Sequence, residues 1–356
     1  MSDSIVVVSG GVVGDPLAAR LRAALADTDA DRSLVGADAV LALDAAGLVR
    51  ARAAAVPVRV AVTRGLAARF DGGLEDATHV SIPHAAARSR AGQKPVLVVG
   101  LASAEQPAVP GPSAEGRAAA RQSAGLDAGA RVVVADAAEL REVGLRSVLL
   151  QLALAEPAPA ILFDVRDDVA LADALRAELP GYALDAFVFA GLEREALLPL
   201  ADLALGRASG GHLERALVAG LPVLPLPAED AGDELALAVL AACGGAPAPR
   251  SLAVLSVALD AELGRAPRAL AELDVSGVAE RLVRATRDAV TAVREGRGPR
   301  AVGLPIGLER VGSREQTATP AGASPPEVAP PGGPERDASD LDARIDAELA
   351  ALKKRL

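Results

Sequence analysis

Aromatic side chains make up only 1% of this 356-residue chain, with no Trp and a single Tyr. Platforms on which bases or sugar rings could stack are therefore scarce. One cysteine, Cys243, leaves no intramolecular disulfide to form. Positive charge is short too: 37 Lys and Arg stand against 47 Asp and Glu, a net charge of −10. Such a chain has no basic field to neutralise phosphates, which argues against general nucleic-acid binding. Asn is absent. No apolar run approaches the roughly 18 residues of a membrane span. Met1-Ser2-Asp3-Ser4 followed by the short run Ile5 to Val8 does not read as a secretory signal. These absences lead to the expectation of a soluble, cytoplasmic protein. His79 and His84 flank Pro83 with no Cys or carboxylate pattern around them, so no metal site is expected.

Apolar residues are plentiful at 51%, enough to bury a large core, and the length suggests two domains. The most informative stretch is residues 200 to 229, LADLALGRASGGHLERALVAGLPVLPLPAE. It reads as a strand from Ala201 to Leu205, a turn over Gly206-Arg207-Ala208-Ser209-Gly210-Gly211, a helix from His212 to Ala219, and a strand from Leu221 to Leu226. Gly220 is the helix C-cap. A glycine turn that opens a helix points backbone N–H groups outward, where the helix dipole favours an anion such as a diphosphate. A tight βα turn with no ligand is the alternative.

Ala201-Asp202-Leu203, Arg207-Ala208-Ser209-Gly210 and Ala219-Gly220-Leu221-Pro222 resemble the nucleotide-sugar segment of GT-B glycosyltransferases. The peptidoglycan N-acetylglucosaminyltransferase family (glycosyltransferase family 28, C-terminal domain) is the member they look most like. The resemblance covers these thirty residues and is loose elsewhere. It implies an α/β chain of two Rossmann-like domains facing a cleft, a UDP-sugar as substrate, and no cofactor. It further implies that Gly10, Gly11 and Gly14, with Arg207, Ser209, Gly210, Gly211, His212, Glu214, Asp233 and Glu234, line the nucleotide-sugar site.

Three positions depart from the family. Asp15 stands where relatives carry a histidine near the acceptor; it reads either as a general base or as an N-cap before Pro16. Asp136-Ala137-Ala138-Glu139 replaces a glycine-rich turn, and its two acids would repel a phosphate. Arg215 occupies the place of the glutamate that binds the donor ribose, and its neighbour Glu214 points about 100° away on a helix. Arg207 reads as a phosphate partner or as a salt bridge to a local acid. His212 reads as a phosphate donor or as facing solvent.

Strands at Ser4 to Ser9, Ala37 to Leu43, Val56 to Thr63, Thr78 to Pro83 and Pro95 to Gly100 alternate with helical patterns and imply a first parallel sheet. Their order resembles the second half of a GT-B N-terminal domain; about one hundred residues is short for one, and the resemblance implies that the shortage falls on the acceptor side. Ala130 to Ala135, Ala160 to Val165, Asp185 to Ala190 and the central stretch imply a second sheet. Helices are expected at Ser147 to Ala155, Asp167 to Leu179, Glu193 to Leu200 and Ala231 to Cys243, and Val278 to Arg294 as a helix returning to the first domain. The domains then run 1–105 and 106–312, with a disordered Pro/Gly-rich linker at 313–338 and an amphipathic helix at 339–356. In that last segment Leu341, Ile345, Leu349, Leu352 and Leu356 form one apolar stripe, which is expected to dock to a partner or shell assembly or to self-associate, the alternative being a helix packed on the globular body. Two functions remain: a glycosyltransferase moving a sugar to an acceptor hydroxyl with Asp15 as base, or a catalytically degenerate GT-B scaffold whose terminal helix binds a partner.

Overall fold

The computed structural model describes residues 3–9, 15–25, 34–102, 114–190, 196–265, 270, 273, 275 and 277–297. Gly10, Gly11, Gly14, the connector at 103–113 and the apolar stripe from Leu341 to Leu356 lie outside them. The strands are β1 (Ile5–Val8), β2 (Ala39–Ala42), β3 (Val58–Ala61), β4 (His79–Ile82), β5 (Val96–Val98), β6 (Val132–Asp136), β7 (Ala160–Asp164), β8 (Ala186–Phe189), β9 (Leu203–Gly206) and β10 (Val223–Pro225). The helices are α1 (Pro16–Ala24), α2 (Ala45–Ala53), α3 (Ala114–Ser123), α4 (Ala137–Val143), α5 (Leu145–Ala153), α6 (Val169–Glu178), α7 (Gly211–Val218), α8 (Ala231–Ala242), α9 (Leu255–Leu263) and α10 (Val278–Arg294). With no Asn available, Asp does the capping. Asp15, Asp44, Asp136, Asp168 and Asp230 each accept backbone N–H bonds at the starts of α1, α2, α4, α6 and α8. Each such cap stabilises its helix by about 1 kcal/mol.

Two expectations are corrected. The helix expected at Ser147 to Ala155 is α5, and where a turn was expected at Asp136 to Glu139 a further helix, α4, precedes it; the two are parted at Gly144, whose φ of 123° a side chain would resist. The helix expected from Glu193 to Leu200 is, among the described residues, one 3-10 turn over Leu198–Leu200; Pro199 inside it removes a donor.

Every strand pair is parallel, in two five-stranded sheets. This is the two-part α/β architecture expected from the sequence. Most of the strands are buried on both faces and read as unbroken apolar runs for that reason. The first sheet runs in sequential order, β1-β2-β3-β4-β5. Its first two connections use opposite faces. Leu17 and Leu21 of α1 pack with Ile5, Val7, Ala39 and Leu41, whereas Leu48 and Ala51 of α2 pack with Val6, Val8, Val40 and Ala42. Both connections step the same way, so they have opposite hands, although nearly all such crossovers are right-handed.

The second sheet has the order β10-β9-β6-β7-β8. From β6 the chain winds outward through β7 and β8, then returns to β9 and β10 on the other side. The strand order therefore reverses between β6 and β9, where open α/β sheets place their ligands. α10 comes back to the first sheet as expected. Its buried face of Leu282, Val283, Ala289 and Val290 joins α1 in one cluster, and Arg281 Nε donates to the Val99 carbonyl at 2.9 Å.

The two sheets belong to one compact unit and share an apolar cluster. It runs from Val40, Leu66 and Ile82 of the first to Leu213, Leu217, Ala236 and Leu240 of the second. One charged side chain crosses with it. The buried Glu214 carboxylate of α7 accepts the Leu66 N–H at 3.2 Å and Arg69 Nη2 at 3.3 Å. Gly65 makes room for it: φ is 70°, and a Cβ there would fall inside the Glu214 carboxylate. Gly65→Ala is expected to cost about 2 to 4 kcal/mol in chemical denaturation, from left-handed strain plus the clash. In a Glu214→Ala background only the strain remains, so the two substitutions should be non-additive by about 1 to 2 kcal/mol.

Candidate functional site

At the β6–β9 switch point the C-terminal end of β6 runs directly into α4, and the end of β9 turns into α7. Asp136 closes β6 and caps α4, its Oδ1 accepting the N–H groups of Ala138 at 3.0 Å and Glu139 at 3.3 Å. Asp-x-x-Glu is a capping-box spacing, in which the acid at the third helical position ordinarily folds back on the cap. Glu139 instead reaches across to α7. Its Oε2 accepts the Arg207 N–H at 3.2 Å and its Oε1 the His212 N–H at 3.3 Å. A carboxylate thus sits on the amides at the start of α7, where the sequence led us to expect a diphosphate. Gly206 and Gly210 make the space, since a Cβ at Gly206 would come within 2.9 Å of Glu139 Oε2 and one at Gly210 would overlap its carboxylate.

The side chains expected to face a nucleotide-sugar are committed within the protein. Arg207 Nε and Nη2 donate to Asp233 Oδ2 at 3.1 and 2.9 Å, Nη1 to Glu142 at 2.7 Å, and Nη2 also to Asp230 at 2.5 Å. Burial lowers the Arg207 pKa, but these three carboxylates outweigh it and hold the guanidinium above its ordinary value. Of the two readings of Arg207 the salt bridge is the one observed. Ser209 gives both its N–H and its Oγ–H to Asp233 Oδ1, at 3.0 and 2.7 Å. Asp233 is fully buried, and although burial raises its pKa, the bonds from Ser209, Arg207 and Glu229 bring it below the usual carboxylate range. Glu234, its neighbour on α8, is exposed.

His212 does not face solvent: it is 2% exposed, and its Nε2 lies 3.2 Å from the Val134 carbonyl, to which it donates. Burial, with Arg215 beside it, pulls its pKa down to about 4, so the ring is neutral at ordinary pH. Glu214 faces the first sheet rather than a ribose, as described above. Asp15 acts as the N-cap: its Oδ1 accepts the Leu17 N–H at 2.9 Å, and its Oδ2 is paired with Arg64. Both its oxygens are engaged, which corrects the reading of Asp15 as a free base. His84 likewise caps a turn, its Nδ1 accepting the Ala86 N–H at 3.1 Å. Among the described residues no three His, Cys, Asp or Glu side chains form a metal-ligand set, and no helix is long and apolar enough to cross a membrane.

Arg166 carries no sequence signal, yet it joins this cluster. It follows β7 with φ of 56°, a strained value for a side chain of its size. Its N–H donates to Asp164 Oδ1 at 2.8 Å, and its Nε and Nη2 grip Asp136 Oδ2 at 2.9 and 2.7 Å. Its Nη2 also lies 3.9 Å from Glu139 Oε1. Glu139 is 6% exposed; burial and then the nearby Asp136 push its pKa up to about 7, against the opposing pull of the two amides and Arg166.

No family model matches the chain, and no curated protein matches it. Solved structures resemble it distantly. HepE from Anabaena in complex with UDP and glucose is 16% identical over 73% of this chain and 76% of its own, with a TM-score of 0.45. The lipopolysaccharide glycosyltransferase WaaG is 13% identical over 82% of this chain and 99% of its own, with a TM-score of 0.39. The glycotransferase of kitacinnamycin is 17% identical over 82% of each chain, with a TM-score of 0.42. At such scores the likenesses decide nothing, and the site rests on strand order and side-chain contacts.

A carboxyl group whose pKa is raised on folding favours the folded state below its unfolded value and loses that contribution as pH rises towards the folded value. For Glu139 the window runs from the ordinary 4.5 to about 7. Glu139→Gln should therefore gain about 1 to 3 kcal/mol over the parent at about pH 8, and much less at about pH 5, measured by urea unfolding at both.

Proposed function

We propose that the chain is a glycosyltransferase-like protein of the GT-B kind, taking a nucleotide-diphospho-sugar at the β6–β9 switch point. The observation that carries this reading is the anion seat itself. The backbone N–H groups of Arg207 and His212 hold a negative group at the start of α7, at the place where doubly wound sheets bind ligands. A donor's diphosphate is the external anion of matching sign, and with Gly206 and Gly210 lacking side chains the backbone is open to it wherever the Glu139 carboxylate gives way. The donor is a UDP-sugar and the acceptor a hydroxyl. A helix terminus that stabilises the departing diphosphate requires no metal. No general base is assigned, because the Asp15 carboxylate is already shared between the α1 amides and Arg64.

A second reading has its own observation. Glu139 fills the seat, and Arg207 is spent on Asp230, Asp233 and Glu142. That pattern favours a GT-B scaffold that no longer turns over, with residues 339–356 joining a partner. Thermal unfolding with UDP and with UDP-glucose at millimolar concentration separates the two. A ligand at about a hundredfold its Kd stabilises the native state by about 2.7 kcal/mol, which raises Tm by a few degrees. Such a shift in the parent or in Glu139→Gln supports the transferase reading, and its absence in both hands the protein to the scaffold reading. Deletion of residues 339–356 should then abolish partner recovery or change assembly size while leaving Tm unchanged.

A further inference from the structure

Glu139 is bound by few ties for a side chain so deeply placed. Its carboxylate holds the amide hydrogens of Arg207, in the turn before α7, and of His212, in the first turn of α7, at 3.2 and 3.3 Å, both at the long end of the hydrogen-bond range. One oxygen already lies within 3.9 Å of the Arg166 guanidinium. Arg166 is anchored by Asp136 through Nε and Nη2, the latter being the atom nearest Glu139, and is half exposed, with 47% of its side chain reaching solvent. A carboxylate between two sets of donors can exchange one set for the other by rotating about its own side-chain bonds, without moving either helix.

Resting on the reading of the α7 seat as a diphosphate site, we propose that Glu139 is a built-in competitor for that seat, and that Arg166 receives its carboxylate when a diphosphate enters. In the ligand-free protein Glu139 neutralises the α7 terminus. On entry the diphosphate takes the Arg207 and His212 amides, and Glu139 pairs with Arg166. Arg166 is then a positioning residue, acting on the ligand through Glu139 and not by contact. The left-handed backbone at Arg166, held by its N–H bond to Asp164, aims the guanidinium along the crevice.

Protonation has the same effect as displacement, because a neutral carboxyl has little claim on the amides. The charged and titratable groups facing Glu139 are Asp136 on β6, Arg166 after β7, and Arg207 and His212 at α7, with Asp164 at the end of β7 and Arg215 on α7 next to them. His212, with its pKa near 4, stays neutral across the range in which Glu139 titrates near 7. Ligand binding to the parent therefore strengthens as pH falls through neutrality.

The test is calorimetric titration with UDP-glucose, whose diphosphate diester does not itself titrate near neutrality. It uses the full chain, Glu139→Gln, Glu139→Ala, Arg166→Met, and Arg166→Met combined with Glu139→Gln. Both Glu139 variants should bind about tenfold tighter than the parent at about pH 8.5, and within about threefold of it at about pH 6. Arg166→Met should weaken binding about threefold or more in the parent, yet change it little in the Glu139→Gln background. Arg166→Gln, which keeps hydrogen-bond donors for Asp136 but loses the charge, serves where Arg166→Met fails to fold. Equal affinity of parent and Glu139 variants at both pH values overturns the competitor while leaving the nucleotide-sugar reading standing. Equal weakening by Arg166→Met in both backgrounds overturns its positioning role in favour of direct contact. Absence of binding by every variant overturns the nucleotide-sugar reading and this inference with it.

Discussion

The contact of the Glu139 carboxylate with the amides of Arg207, in the turn before α7, and His212, in its first turn, links the two ends of the β6–β9 switch point. It satisfies the His212 N–H, which a helix terminus leaves without an intrahelical partner, and it places negative charge where the macrodipole wants it. It also draws α4 against α7 across the point where the strand order reverses. The contact has a cost. A carboxylate this buried, beside Asp136, is held with its pKa near 7, so it stands between its two protonation states at physiological pH. Few other groups in the crevice can change state so easily. Asp233 is committed to Ser209 and Arg207, and His212 is neutral against a carbonyl.

Around that contact the polar side chains satisfy one another. Arg207 serves three carboxylates, Arg166 serves Asp136, and Ser209 is tied to Asp233. A chain with a surplus of acids uses its arginines to neutralise buried carboxylates, and few remain to greet an anionic ligand. The same economy explains why Asp caps so many helices: with Asn absent, carboxylates become both the caps and the internal counter-ions. Removing either member of such a pair leaves a buried charge, which is costly whatever the pair itself contributes.

The halves are joined by a similar device. Glu214 leaves α7 towards the first sheet and ends on the Leu66 amide and Arg69, in space that Gly65 provides. Together with the apolar cluster shared by both sheets, it makes one body of two parallel-sheet units. Residues of a single short helix therefore look both ways. His212 is built into the second sheet and Glu214 into the first, because residues two apart on a helix point about 200° from one another around its axis.

Fold class was legible in the sequence because fully buried parallel strands must be continuous apolar runs, and glycine and proline mark their ends. β6, β7, α8 and α10 fall where those patterns put them. α4 was not legible as a helix, although Asp136 and Glu139 stand at capping-box spacing, because the expected glycine-rich turn took its place. The sequence also carried the anion preference of the α7 terminus, since a glycine turn opening a helix exposes amides whatever the rest of the chain does. Which anion sits there was a matter of tertiary structure alone. Glu139 is 68 residues from Arg207 in the chain, and only the pairing of β6 with β9 brings them together. The committed state of Arg207, the inward turn of His212 and the position of Arg166 have the same origin. Periodicity and caps are local properties that short segments of chain encode, whereas the partner of a charged group depends on which strands become neighbours.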